Sequence, residues 1–250
     1  MPLYKTITVN DQTSIAIWKV AETEMHLQKG IILSPHCQTR FNGMKSEMHR
    51  RAFLSIRHLL AIYGYVDEDL HYNLVGKPHL RDGTHISITH SHDFTAIIIG
   101  KQNEVGIDIE KQRDKILRIA HKFTSVNEYR TLANTEAVVR KLTIVWGAKE
   151  SLYKIYGQKG LSFLQHINVS DFLFDDEETT ATIQYRCNIV NYHISFMEFE
   201  GFTCVYAFGL DAFESTTWNR VKELKSEKVK SKKGNNTSEL YGILKSLKEV

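Results

Sequence analysis

Val105-Gly106-Ile107-Asp108-Ile109-Glu110 and Trp146-Gly147-Ala148-Lys149-Glu150-Ser151-Leu152-Tyr153-Lys154 are the two stretches from which the fold is read. Strand side chains alternate between faces, so Val105, Ile107 and Ile109 point one way and Gly106, Asp108 and Glu110 the other. The apolar set can enter a core while both acids emerge together. Gly106, lacking a side chain, permits close approach of a ligand or another backbone. In the second stretch, at about 100° per residue, Trp146, Glu150 and Lys154 share a narrow arc of a helix. Val145, Ala148, Leu152, Ile155 and Tyr156 fill the opposite arc, with Leu142 at its edge. Lys149 projects near the apolar border, where a lysine needs a partner or must reach outward to water. Two plain alternatives stay open on these stretches alone. The strand could be an edge strand with solvated acids, and Glu150 with Lys154 could be an i,i+4 surface pair.

Outward from these stretches, alternating runs at Lys5–Val9 and Ser14–Val20 predict two opening strands, with Ile15 and Ile17 on one face. Ser46 starts a helix to about Tyr63 that carries Phe53, Leu54, Leu59, Leu60 and Ile62. Gly76-Lys77-Pro78 is a turn, and His85–Thr89 with Thr95–Gly100 form a strand pair joined through Ser91-His92-Asp93. Further helices are expected over Ile116–Lys122, Val126–Asn134 and Glu136–Gly157. Strands are expected near His166–Val169, Thr179–Tyr185, Tyr192–Glu200 and Phe202–Gly209. Each half thus reads as a long helix plus several strands, an α+β class with two similar subdomains. The expected boundaries are 1–103, 104–215 with the acids, and a basic extension over 216–250 that closes on a helix at Ser238–Lys248.

The chain has 250 residues and a formal net charge of +3, enough length for one large core or two packed subdomains. Apolar runs such as Thr95–Gly100 and Leu142–Trp146 are far too short to cross a bilayer. The N-terminus shows no apolar signal core with a cleavage site. Cys37, Cys187 and Cys204 are odd in number and lack metal-ligand spacing, which fits a reducing compartment. The expected location is therefore the cytoplasm. Basic residues dominate from Arg220 to Lys233, a run that usually forms a solvated face or loose tail rather than a nucleic-acid site.

Two aspartate or glutamate side chains on the strand and one on the helix are hard oxygen ligands, suited to Mg²⁺ rather than zinc. Their mutual repulsion would also be relieved by a cation. Groups suited to phosphate lie upstream: Lys77 in its rigid turn, Ser87 and Thr89 on one strand face, and His90 beginning the next turn. His49-Arg50-Arg51 and Arg57 add guanidinium groups around the first long helix. His90-Ser91-His92 has no second histidine pair or cysteine cluster to complete a zinc site.

The paired signatures resemble those of the 4'-phosphopantetheinyl transferases, approximately (V/I)-G-(I/V)-D-(I/V)-E followed by (W/F)-x-x-K-E-(S/A)-x-x-K. Supporting motifs follow in the family's order: an arginine after His49, Gly76–Pro78, Thr89–Ser91, Phe123–Tyr129 and Lys159–Ser162. The likeness runs over Glu47–Ser162. Length and first-half motifs are similar to the surfactin-synthetase-activating type, a pseudodimer in one chain.

The resemblance implies that the phosphopantetheine arm of coenzyme A moves to a serine of an apo acyl or peptidyl carrier protein, leaving adenosine 3',5'-bisphosphate. It implies Mg²⁺, or Mn²⁺, held by Asp108, Glu110 and Glu150. Lys154 and Lys149 would contact the coenzyme A diphosphate. Lys77, Thr89 and His90 would bind its adenosine phosphates, with Arg50, or in competition Arg51, beside them. Glu150, directly or through a metal-bound water, would take the serine proton. The carrier would meet residues around Phe123–Arg140, and the enzyme would act as a monomer. Ser87 and Thr89 stand where the family often has asparagine and serine. Rival readings are a Mg²⁺-dependent nucleotide or coenzyme A phosphohydrolase and a non-catalytic coenzyme A- or carrier-binding module.

Overall fold

The computed structural model describes residues 3–125 and 134–210. The helix expected over Val126–Asn134, the middle of the stretch expected to face a carrier (126–133), the basic run and the closing helix lie largely or wholly outside these residues.

The two expected opening strands are β1 (Leu3–Asn10) and β2 (Thr13–Lys19), which pair antiparallel. Two short helices follow that the sequence reading did not anticipate, α1 (Glu24–Leu27) and α2 (Pro35–Asn42). Thr23 and Ser34 cap them by accepting from backbone N–H groups three residues on, and Pro35 opens α2 where its missing N–H does no harm. The long helix α3 (Glu47–Ile62) begins at Ser46, whose hydroxyl accepts from the His49 N–H. After it come the small hairpin β3 (Leu70–Tyr72) and β4 (Pro78–Leu80), then the strand pair β5 (His85–Ser91) and β6 (Phe94–Gly100). The second half holds β7 (Val105–Lys111), α4 (Lys115–Ile119), α5 (Thr135–Tyr156), α6 (Phe163–His166), β8 (Ile167–Val169), β9 (Glu178–Tyr185), β10 (Asn188–Phe199) and β11 (Phe202–Gly209). The helix expected over Ile116–Lys122 is split, its last turn tightening to a 3₁₀ turn at Ala120–Lys122.

The strands form two antiparallel sheets, β1-β2-β6-β5 and β7-β11-β10-β9-β8. They stack as four layers. Helix α3 covers the outer face of the first sheet, with Phe53, Leu54, Leu59 and Leu60 against Trp18, Ile97 and Ile99. Helix α5 covers the outer face of the second, with Leu142, Val145, Ala148 and Leu152 against Ile194, Phe196, Val205 and Ala207. Between the sheets lies a third core, where Ile15, Ile17, Ala96 and Ile98 meet Val105, Ile107, Ile109 and Cys204. The halves are therefore similar, each a long helix on an antiparallel sheet, and the α+β reading holds. The alternation read from β7 also holds: its isoleucines enter the middle core while the opposite face turns to α5. No helix among the described residues is long and apolar enough to cross a membrane.

Candidate active site at the seam of the two halves

Gly106 decides how close β7 and α5 can lie. A β-carbon there would stand 2.1 Å from the Ser151 carbonyl oxygen, so only glycine admits the helix at this spacing. Gly147 works from the helix side, where a β-carbon would meet Val205 at 2.7 Å. This close packing puts the Trp146–Glu150–Lys154 arc over the acids of β7 rather than into open solvent.

Asp108 is almost fully buried, at 6% exposure. Its Oδ1 accepts from Lys154 Nζ at 2.8 Å and from the Thr89 hydroxyl at 3.2 Å, while Oδ2 is buried with no hydrogen-bond partner. Lys154 Nζ also donates to the Ile107 carbonyl at 2.7 Å. Glu110 accepts from the Trp146 indole N–H at 3.3 Å. Burial, and then the charge of Asp108, raise the Glu110 carboxyl above its usual range. The same causes, in the same order, push Glu150 to about 7, with Lys154 opposing and Glu110 adding to the rise. The three acids therefore feel one another strongly.

A buried carboxylate oxygen without a donor, beside two further carboxyls that burial and repulsion make reluctant to ionise, fits a hard divalent cation. As they stand, no three His, Cys, Asp or Glu side chains among the described residues form a ready-made ligand set. Each carboxyl nonetheless acts on its neighbours through its charge, and protein groups hold an oxygen of Asp108 and one of Glu110.

Beside the acids opens a cavity of about 580 Å³ lined from both halves. Lys77, His90, Lys154 and Lys159 line it, as do Arg40, His49 and Arg57, and no acid is among its lining residues. Met44, Phe53, Ile56, Tyr72, Ile86 and Ile88 supply an apolar wall. The balance suits an anionic ligand with a flat apolar part. Lys77 crosses the seam, its Nζ donating to Glu104 and to the Ile155 carbonyl, both at 2.6 Å. His90 keeps exposed surface, yet its imidazole is held below the usual histidine range, first by loss of water contact and then by His49 and Lys154. A smaller hollow of about 190 Å³ is lined by Glu110 together with Lys111, Arg113, Lys115 and Trp146.

Four expected ligands are placed differently. Lys149 is wholly buried and donates to the carbonyls of Phe123 at 2.6 Å and Phe163 at 3.0 Å, so it fastens loops and does not face the cavity. Arg50 pairs with Glu24 at 2.7 Å and caps the Met44 carbonyl. Its rival Arg51 donates to the Val20 carbonyl. Neither arginine lines the cavity. Thr89, 4% exposed, has its hydroxyl engaged with β7. The guanidinium groups at the cavity are instead those of Arg57, ion-paired with buried Asp67 at 2.7 Å, and of Arg40. The sequence reading missed Arg40. Its signal was Ser34-Pro35, a capped helix start that carries Arg40 in the last turn.

A strand acid pair and a helix lysine–acid pair thus lie at the seam of two similar α+β halves, beside a basic cavity that Lys154 helps to line. Residues 104–207 match the family model of the 4'-phosphopantetheinyl transferase superfamily. It is 29% identical over 136 residues to the 4'-phosphopantetheinyl transferase gsp of Aneurinibacillus migulanus, covering 53% of this chain and 54% of that protein. It is 34% identical over 94 residues to the 4'-phosphopantetheinyl transferase psf-1 of Bacillus pumilus, covering 35% of this chain and 39% of that one. The chain thus spans about half, or less, of the curated relatives it matches.

Proposed function

We propose that this protein transfers the 4'-phosphopantetheine arm of coenzyme A to a serine hydroxyl of an apo acyl or peptidyl carrier protein. The observation that carries the reading is the meeting of Asp108, Glu110, Glu150 and Lys154, within the superfamily segment, at the edge of an acid-free basic cavity. Phosphoryl transfer of this kind depends on positioning and charge neutralisation more than on covalent help from the enzyme. In this reading Arg40, Lys77, His90 and Lys159 bind the adenosine phosphates, and the apolar wall takes the base. Lys154 attends the diphosphate.

A Mg²⁺ or Mn²⁺ ion held by Asp108, Glu110 and Glu150 would supply charge neutralisation at the diphosphate when bound. The serine oxygen forms a new bond to the phosphorus that carries the pantetheine arm. The anhydride bond from that phosphorus breaks, and adenosine 3',5'-bisphosphate leaves with the bond's electron pair. Glu150, whose carboxyl is raised by burial and by the charge of Asp108, takes the serine proton. Lys154 offsets the charge that grows on the departing oxygen. The carrier serine would approach past Glu110 and Trp146. We assign the cytoplasm as the location and a monomer as the working form.

The test is incubation with coenzyme A, Mg²⁺ and a panel of apo carrier proteins, reading the added arm by mass. Transfer that stops with chelator supports the proposal. Breakdown of coenzyme A without any carrier would favour a phosphohydrolase, and tight coenzyme A binding without product a non-catalytic module.

A further inference from the structure

β5 and β7 are edge strands of different sheets, yet they lie against each other. Side-chain hydroxyls replace a main-chain ladder between them. Ser87 Oγ accepts from the Ile107 N–H at 3.2 Å, and Thr89 Oγ1 accepts from the Ile109 N–H at 3.2 Å. The spacing of two on each strand brings the pairs into register. Both hydroxyls satisfy buried donors that would otherwise be costly.

Thr89 does something Ser87 does not. Its oxygen accepts from Ile109, so its one proton is free to be donated, and it goes to Asp108 Oδ1 at 3.2 Å. The β-branched side chain is stiff about its first torsion, and the main-chain donor fixes it further. Lys154 reaches the same Oδ1 from a long, pliable stem. With Oδ1 held twice, Oδ2 remains the partnerless buried oxygen at the acid cluster.

We propose that Thr89 is a positioning residue: its hydroxyl locks the Asp108 carboxylate so that Oδ2 is offered to a divalent cation shared with Glu110 and Glu150. This rests on the cation part of the reading above and not on the group transferred. It replaces the expected role of Thr89 as a phosphate ligand, for which its burial leaves little access.

The experiment is calorimetric titration of metal-stripped full-length protein with MgCl₂ or MnCl₂, and separately with coenzyme A in chelator. Thr89→Val should weaken cation binding by about tenfold or more, the usual effect of removing a partner that orients a metal ligand. Thr89→Ser should keep it within about threefold. Ser87→Ala cuts the same kind of seam bond without touching Asp108, so it should lower the melting temperature and leave cation binding alone. Coenzyme A binding in chelator should be equal between wild type, Thr89→Val and Thr89→Ser. Unchanged cation binding in Thr89→Val overturns the proposal. So does a selective loss of coenzyme A binding, which would make Thr89 a phosphate ligand after all. If Thr89→Val does not fold, Thr89→Ala replaces it. In wild-type protein, amide exchange at Ile109 should slow on cation addition more than at Ile107, and equal behaviour also overturns the proposal. Failure of every carrier to be modified would remove the transfer reading but leave this one intact; absence of cation binding in wild-type protein would sink this one.

Discussion

Replacing Glu150 with glutamine should stabilise the metal-free protein at alkaline pH. The Glu150 carboxyl is raised from 4.5 to about 7 by burial and by Asp108. An acid whose folded-state value lies above its unfolded one holds more protons folded than unfolded between the two. Its contribution therefore opposes folding increasingly as pH climbs from 4.5 through about 7. At about 1.4 kcal/mol per pH unit, the penalty is about 1 kcal/mol at pH 5 and about 3 kcal/mol at pH 8. Glutamine keeps the shape and carries no charge at either pH. For a chain of this length about 3 kcal/mol corresponds to a rise of about 6 °C in melting temperature. Thermal melts of both proteins in chelator at pH 5 and pH 8 measure it. Saturating Mg²⁺ should reverse the ranking, since a ligand that binds only the folded state stabilises the protein able to hold it. A melting-temperature gap that does not change with pH, or a glutamine variant less stable than wild type at pH 8 without cation, would refute the reasoning.

Gly106→Ala should destabilise by about 3 kcal/mol, because a main-chain carbonyl cannot move aside as a side chain can, and an unchanged urea midpoint would contradict it. Asp67→Ala strands the Arg57 guanidinium, whose side chain is 3% exposed, and should lower stability by about 3–5 kcal/mol in denaturant melts. Arg40→Ala, on an exposed helix end, should raise the KM for coenzyme A about tenfold while kcat and melting temperature stay near wild type; an equal fall in kcat would place Arg40 elsewhere in the cycle.

The parts of the fold that were legible are those whose periodicity is long or strict. β7 announces itself through alternation, α3 through its serine cap and apolar face, and α5 through the separation of its two arcs. The glycine of β7 even signalled a close backbone approach, which turned out to be the Ser151 carbonyl. α1 and α2 escaped because elements of 4 and 8 residues carry too little pattern to rise above the surrounding loop. That gap propagated into the site. Arg50 is drawn away by Glu24 of the unseen α1, and Arg40 arrives from the unseen α2. Lys149 was recognised as a lysine in need of a partner, but its partners are carbonyls of Phe123 and Phe163, which no spacing rule connects to it. Periodicity reports which face a residue occupies; it is silent on what another segment brings to that face.

Lys77 gives the free protein a strap. Gly157, in a left-handed conformation at +61°, ends α5, and the lysine stem fills the space where its side chain would be, with the ammonium on the Ile155 carbonyl. Any anion that recruits this lysine must draw it away from both Glu104 and the negative end of the helix that holds Glu150 and Lys154. Filling the cavity would therefore loosen the final turn of that helix, and occupancy at one end would be felt as altered fraying at the other.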